Sequence, residues 1–84
     1  MNKAHAKALA AIFARPTSAA IKWPKVVALL RALGADVSEG AGSRVRFSLN
    51  GVDATFHRPH PGKELRKYAV EDLRDFLEKA GVTP

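Results

Sequence analysis

The chain of 84 residues contains no cysteine and only one methionine, one tryptophan and one tyrosine. The lack of cysteine excludes a disulfide framework, a thiolate nucleophile and a metal site with sulfur ligands. No apolar run approaches the roughly 20 residues that a membrane-spanning helix needs. We therefore expect a cytoplasmic protein without a membrane segment, and a chain this short has room for one core only.

Carboxylates are also missing from residues 1–34, although this stretch carries several lysines and arginines. The formal net charge of the whole chain is +6, and a basic surface attracts polyanions such as nucleic acids. Small domains can also be basic for solubility alone. Charge by itself therefore favours nucleic-acid binding only slightly.

Apolar residues at helical spacing predict three helices. The first contains Leu9 and Ile12 and ends at Arg15-Pro16, because a residue before proline avoids the helical conformation. The second begins near Pro24 and is stopped by Gly34. The third carries an amphipathic face formed by Val70, Leu73, Phe76, Leu77 and Ala80, and it closes at Gly81.

Three strands are predicted between the second and third helices, over residues 36–39, 43–49 and 52–57. Asn50-Gly51 is a strong hairpin signal, because a type I′ turn needs positive φ at both central positions. A two-residue turn fixes the register and places Arg44 opposite His57. One sheet face is then apolar (Val45, Phe47, Leu49, Val52, Ala54, Phe56), and the other is polar (Arg44, Arg46, Ser48, Asp53, Thr55, His57).

The order helix, helix, three strands, helix predicts an α+β fold with two layers and one open sheet face. From the second helix onward, this is also the order of the double-stranded-RNA-binding fold. We divide the chain into a helical extension, residues 1–21, and a domain, residues 22–84.

The Arg44/His57 pair is the sharpest candidate for chemistry, because directly opposed side chains on one face lie about 4.5–5.5 Å apart at Cβ. His57 could act as a general base on a ribose 2′-hydroxyl, while Arg44 and Arg46 hold the phosphate. The alternative is a solvated sheet face without chemistry.

A basic loop follows the third strand. Its cationic residues predict contacts along an RNA backbone, and they are Arg58, His60, Lys63, Arg66 and Lys67. The alternative is a solvated connector shaped by Pro59 and Pro61. The histidine spacing is too loose for a metal site, and none is predicted. Trp23 and Tyr68 could stack on bases or on a partner surface, but aromatic side chains of this kind are more often partly buried anchors, and we interpret both as such.

Several segments together resemble one known family: Leu29 to Ala35, then Gly42-Ser43-Arg44-Val45-Arg46-Phe47, then His57 to Leu65 with Pro61-Gly62-Lys63, and the helix end at Gly81. Over about residues 22–82, the chain resembles the HicA toxins of toxin–antitoxin modules. The resemblance implies a double-stranded-RNA-binding type of fold and cleavage of messenger RNA without a cofactor. It also implies neutralisation by a HicB-type antitoxin that covers the active face.

The resemblance places Gly42 and Ser43 in the family's RNA-binding motif, but it departs at the next residue. In that family a histidine directly after Gly-Ser is catalytic, and here the position is Arg44. Because His57 lies opposite Arg44, its imidazole could take the place of the missing one. Two functions follow as hypotheses: a metal-independent endoribonuclease toxin, or a non-catalytic module that binds RNA or an antitoxin.

Overall fold

The computed structural model describes all 84 residues and contains six elements. Their order and bounds are α1 (Lys3–Phe13), α2 (Trp23–Ala32), β1 (Asp36–Glu39), β2 (Arg44–Leu49), β3 (Val52–His57) and α3 (Lys67–Lys79). The strands form one antiparallel sheet in the order β1-β2-β3. This arrangement confirms the predicted α+β class and the predicted order of elements.

The helix ends follow from local sequence. The Asn2 side chain accepts a hydrogen bond of 2.8 Å from the His5 backbone N–H, which satisfies one free donor at the start of α1. Pro24 occupies the first turn of α2, where its missing N–H costs nothing. Gly34 has a φ of 93° directly after the last turn of α2, a conformation that favours glycine.

The β2–β3 hairpin has the predicted register. Asn50 and Gly51 have φ values of 51° and 80°, as a type I′ turn requires. Arg44 is consequently the register partner of His57, and Val45 that of Phe56. The Asn50 side chain also donates to the Ala80 carbonyl at 2.8 Å, which ties the turn to the end of α3.

The core lies between the apolar sheet face and the three helices. Phe47 is fully buried at its centre, and its ring contacts those of Trp23, Phe56 and Phe76 at centroid separations of 5.7, 5.8 and 6.4 Å. The polar face of β2 and β3 stays open to solvent, as predicted. None of the helices is long and apolar enough to cross a membrane.

Helix α1 packs into the same core as the rest of the chain. Leu9 and Ile12 are buried, and α1 contacts both α2 and α3. A buried arginine of α3, Arg74, donates to the Ile12 carbonyl at 3.2 Å. The 1–21 extension therefore supplies part of the hydrophobic interior.

Candidate functional site

A cleft of about 570 Å³ lies at the open end of the hairpin, where β2 begins and β3 ends. The β3–α3 loop forms one wall, and the first turn of α3 forms another. The lining residues are Ala19, Ser43, His57, Arg58, Pro59, His60, Pro61, Gly62, Glu64, Leu65, Arg66, Tyr68 and Ala69. Five residues predicted to be catalytic or to contact RNA thus lie together: Ser43, His57, Arg58, His60 and Arg66.

Backbone hydrogen bonds hold the loop that forms this cleft at both ends. Arg58 N–H donates to the Ser43 carbonyl at 2.8 Å and extends the β2–β3 ladder by one bond. At the far end, Leu65 is buried, and its N–H donates to the Ile21 carbonyl at 2.8 Å. Trp23 N–H donates to the Lys63 carbonyl at 2.7 Å. The loop is therefore anchored to the core and places His60 in the same cleft as His57.

His57 contacts Ser43 across the hairpin. The Ser43 Oγ lies 3.4 Å from the His57 Nδ1, which is a long hydrogen bond whose direction depends on the tautomer. A serine that engages Nδ1 leaves Nε2 as the nitrogen free to meet a ligand. Because Ser43 and His57 both line the cleft, the imidazole is available to a molecule bound there.

Arg44 and Arg46 line a different, smaller depression of about 200 Å³, together with Ser38, Glu39, Gly40 and Thr55. The Arg44 Nε donates to the Ala41 carbonyl at 3.3 Å, which is long for a hydrogen bond. Arg44 and His57 are thus opposed at the backbone, whereas their side chains line neighbouring depressions.

The charge of Arg46 is balanced within the sheet face. Its guanidinium forms an ion pair with Asp53, and the same carboxylate accepts from the Ser48 hydroxyl. The Ser48 hydrogen bond and then the Arg46 guanidinium hold the pKa of the Asp53 carboxyl below its ordinary value of 3.8. Asp53 consequently stays ionised near neutral pH and neutralises Arg46.

The other predicted RNA-binding residues are distributed around the cleft. Arg58 lines it and pairs with Glu39, with 2.9 Å between Nη1 and Oε1. Gly42, Lys63 and Lys67 line no cleft. Gly42 has a φ of 68° in the turn before β2, which suits glycine and brings the chain into Ser43.

Arg66 of the predicted basic loop and the exposed Tyr68 also line the cleft. Arg66 directly precedes α3 and forms no ion pair. Tyr68 is 63% exposed, so the interpretation of this side chain as a partly buried anchor is wrong. It lies two residues before Val70, about 200° around the helix at 3.6 residues per turn, and so faces away from the core. The amphipathic pattern of α3 therefore already indicates, from the sequence, that Tyr68 lies on the exposed side of the helix.

The side chains that could ligate a metal ion do not form a metal site. No group of three or more His, Cys, Asp or Glu side chains lies close enough to hold a metal ion. The functional groups that line the cleft are two imidazoles, the Ser43 hydroxyl, two guanidinium groups, the Glu64 carboxylate and the exposed phenol ring of Tyr68. This set combines proton-transfer groups with groups that recognise a phosphate and a base.

Comparison with known proteins gives one match. A family model described as the HicA toxin of bacterial toxin–antitoxin modules matches residues 23–82, which include α2, α3 and all three strands. No curated protein and no solved structure matches the chain. The matched residues make up most of the chain and contain nearly all of the cleft. The chain therefore belongs to the HicA family of toxins from bacterial toxin–antitoxin modules.

Proposed function

We propose that this HicA-family chain is an endoribonuclease that cuts messenger RNA in the cleft beside His57 and so arrests translation. The observation that carries the proposal is the contact between Ser43 Oγ and His57 Nδ1 in a cleft that also contains His60. The hydroxyl orients one imidazole, and a second imidazole stands in the same cavity. Two such groups can supply the base and the acid of general acid–base catalysis.

The proposed reaction is an internal transesterification. His57 Nε2 accepts the proton of a ribose 2′-hydroxyl, and the 2′-oxygen attacks the adjacent phosphorus. The bond between phosphorus and the 5′-oxygen breaks, and His60 donates a proton to that leaving oxygen. The products are a 2′,3′-cyclic phosphate and a free 5′-hydroxyl, so atoms and charge balance without an added reactant.

Cationic groups around the cleft supply the electrostatic part of the mechanism. Arg66 forms no ion pair and lines the cleft, so its guanidinium can engage the phosphate oxygens on which charge develops. Arg58 is partly neutralised by Glu39. Arg44 is held by one long hydrogen bond, and a rotation about its side chain would direct it toward the phosphate beside His57.

Recognition of the RNA is proposed to rest mainly on backbone contacts. Lys63 and Lys67 each lie between two residues that line the cleft, and they add positive charge next to it. The exposed ring of Tyr68 is suited to stacking on a base, which is tolerant of sequence. A HicB-type antitoxin would neutralise the toxin by covering this same cleft.

A second candidate function is a non-catalytic module that binds RNA or the antitoxin. The residue that favours it is Arg44, which stands where the resemblance places the family's catalytic histidine. Under this alternative, the open face and the cleft would still bind RNA. No RNA would be cut, and induced expression of the chain would leave cell growth unchanged.

The decisive experiment replaces His57 with alanine. We expect RNA cleavage to fall by about 10²–10⁴-fold, the usual contribution of a general base, and growth arrest on induced expression to disappear. His5 provides a matched control, because this third histidine lies on α1 and lines no cleft. Cleavage by the His57→Ala chain at the wild-type rate would remove His57 from the mechanism.

Product analysis and chelation complete the test. Wild-type protein should leave 2′,3′-cyclic phosphate ends and should cut equally well after treatment with a chelator. A substrate whose leaving 5′-oxygen is replaced by sulfur needs no acid, so it should restore cleavage by His60→Ala but not by His57→Ala. Purified wild-type protein that cuts no RNA under any condition would favour the non-catalytic module.

A further inference from the structure

A second groove, of about 580 Å³, lies on the other side of residues 18–22 from the proposed catalytic cleft. Helix α1 forms one wall, and the start of α2 forms the other. Most of its lining residues are apolar, chiefly alanines, and its cationic residues are Lys7, Lys22 and Lys25. The α1 wall lies outside the residues that match the family model.

The groove is positively charged, and little of that charge is neutralised. No carboxylate lines it, and residues 1–34 contain none. Lys7 and Lys25 are exposed and form no ion pair, whereas Lys22 lies 3.7 Å from Glu64. An anionic ligand therefore meets at least two free ammonium groups.

The groove and the cleft share a wall. Ala19 lines the cleft, while its neighbours Ser18 and Ala20 line the groove. The Lys22–Glu64 pair joins the two sides, since Lys22 belongs to the groove and Glu64 to the cleft. A strand that leaves the cleft over residues 18–22 would enter the groove directly.

We propose that this groove binds the sugar–phosphate backbone of single-stranded RNA that continues beyond the catalytic cleft. The proposal rests on the proposed function to the extent that RNA is the ligand of the cleft. The groove contains no aromatic ring for stacking on a base, and its lining has none of the aromatic or arginine side chains that dominate protein interfaces. Its lysines are suited to phosphates, which give affinity without sequence information.

The test uses the full chain and oligonucleotides with 2′-O-methyl groups, which cannot be cut by transesterification. One probe has about 16 nucleotides and the other about four, the range of lengths that small single-strand-binding folds cover. The variant is Lys7→Glu/Lys25→Glu. Lys22 is left in place because it is paired with Glu64.

We expect the double variant to bind the long probe about tenfold more weakly, while its affinity for the short probe falls by less. The slope of log affinity against log salt for the long probe should become shallower by about 1.4, because each phosphate contact on a single strand contributes about 0.7. The neutral variant Lys7→Gln/Lys25→Gln should change that slope in the same direction.

A matched control applies the same change in charge elsewhere. Arg31→Glu/Lys79→Glu alters the last turns of α2 and α3, which line neither cavity. Lys79 also precedes Ala80, whose carbonyl binds the hairpin turn at the end of the sheet remote from Ser43 and His57. The control should retain wild-type affinity for the long probe, and thermal unfolding monitored by circular dichroism verifies that all variants fold.

Three results would overturn the proposal: wild-type affinity and salt slope in the groove variant, an equal loss of affinity in the control, or loss of antitoxin binding with RNA binding intact. The last would make the groove a protein-docking surface. Because the probes cannot be cut, failure of the proposed ribonuclease activity is detected separately, as wild-type protein that binds RNA but cuts none.

Discussion

Arg74 is a buried cation that connects the first and last helices. It is only 4% exposed and forms no direct ion pair. Its Nε donates to the Ile12 carbonyl, one of the last four of α1 that lack a partner within the helix, and its Nη2 donates to the Thr17 hydroxyl. Thr17 in turn donates to Glu71 at 3.3 Å. The positive charge stands where the negative end of the α1 dipole favours it.

Replacement of Arg74 by methionine should lower the free energy of unfolding by about 1.5–3 kcal/mol, the usual contribution of hydrogen bonds from a charged donor. The variant keeps a long apolar side chain, so the loss reflects the polar contacts rather than packing. Urea denaturation measures the change, and Arg31→Met on the exposed end of α2 serves as the control. Unchanged stability in Arg74→Met would mean that these contacts only offset the cost of burying the charge.

Asp53 on the open sheet face makes the stability of the folded chain depend on pH in the acidic range. Its pKa is lowered in the folded chain, so its stabilising contribution is complete above the unfolded value of 3.8 and is lost as pH falls through the folded value. Asp53→Asn removes this contribution at every pH. We expect the urea midpoint of wild-type protein to fall more than that of the variant between about pH 7 and about pH 3. Equal shifts in the two proteins would contradict the assignment.

At the residue scale, the sequence predicted the pairing of backbone positions across the hairpin. It did not predict the directions of the side chains. The Arg44/His57 register follows from a local turn. The direction of each side chain depends instead on partners that no spacing reveals, namely the Ala41 carbonyl for Arg44 and Ser43 for His57. Arg74 could not be found for the same reason, because its partner Ile12 is 62 positions away.

At the element scale, the sequence predicted helix α1 but left open how this helix packs. The spacing of its apolar residues predicts a helix. Because the helix ends at Arg15-Pro16, the sequence also suggests that it is an extension of the domain. Its contacts with α2 and α3 arise from tertiary packing, which a pattern within one helix does not specify. The β-strands were easier, because the short turn between β2 and β3 sets their pairing locally.

The contribution of α1 to stability can be measured through Ile12, which is fully buried. Ile12→Ala should lower the free energy of unfolding by about 2–5 kcal/mol, the range for removing a large aliphatic side chain from a core. Ala10→Ser on the exposed side of the same helix should change it by less than about 0.5 kcal/mol. Small and equal effects at both positions would show that α1 behaves as an appendage.

At the scale of the whole molecule, one core implies one cooperative unfolding transition. Trp23 is the sole tryptophan and contacts Phe47, so its fluorescence reports on the core, whereas far-ultraviolet circular dichroism reports on all three helices. The two thermal curves should coincide, with a heat-capacity change of about 1.0–1.3 kcal/mol/K for a chain of this length. An earlier loss of helix signal would indicate that α1 unfolds separately.

The hairpin turn has a consequence for which changes of chain length the protein can tolerate. Neighbouring residues of a strand point to opposite faces, so one residue inserted at Asn50-Gly51 would shift β3 by one position relative to β2. Phe56 would then exchange its buried place with His57, and the contact with Ser43 would be lost. Point substitutions on the open face leave the register between β2 and β3 unchanged. We therefore expect related chains to vary in the side chains of β2 and β3 far more readily than in the number of residues between Ser43 and His57.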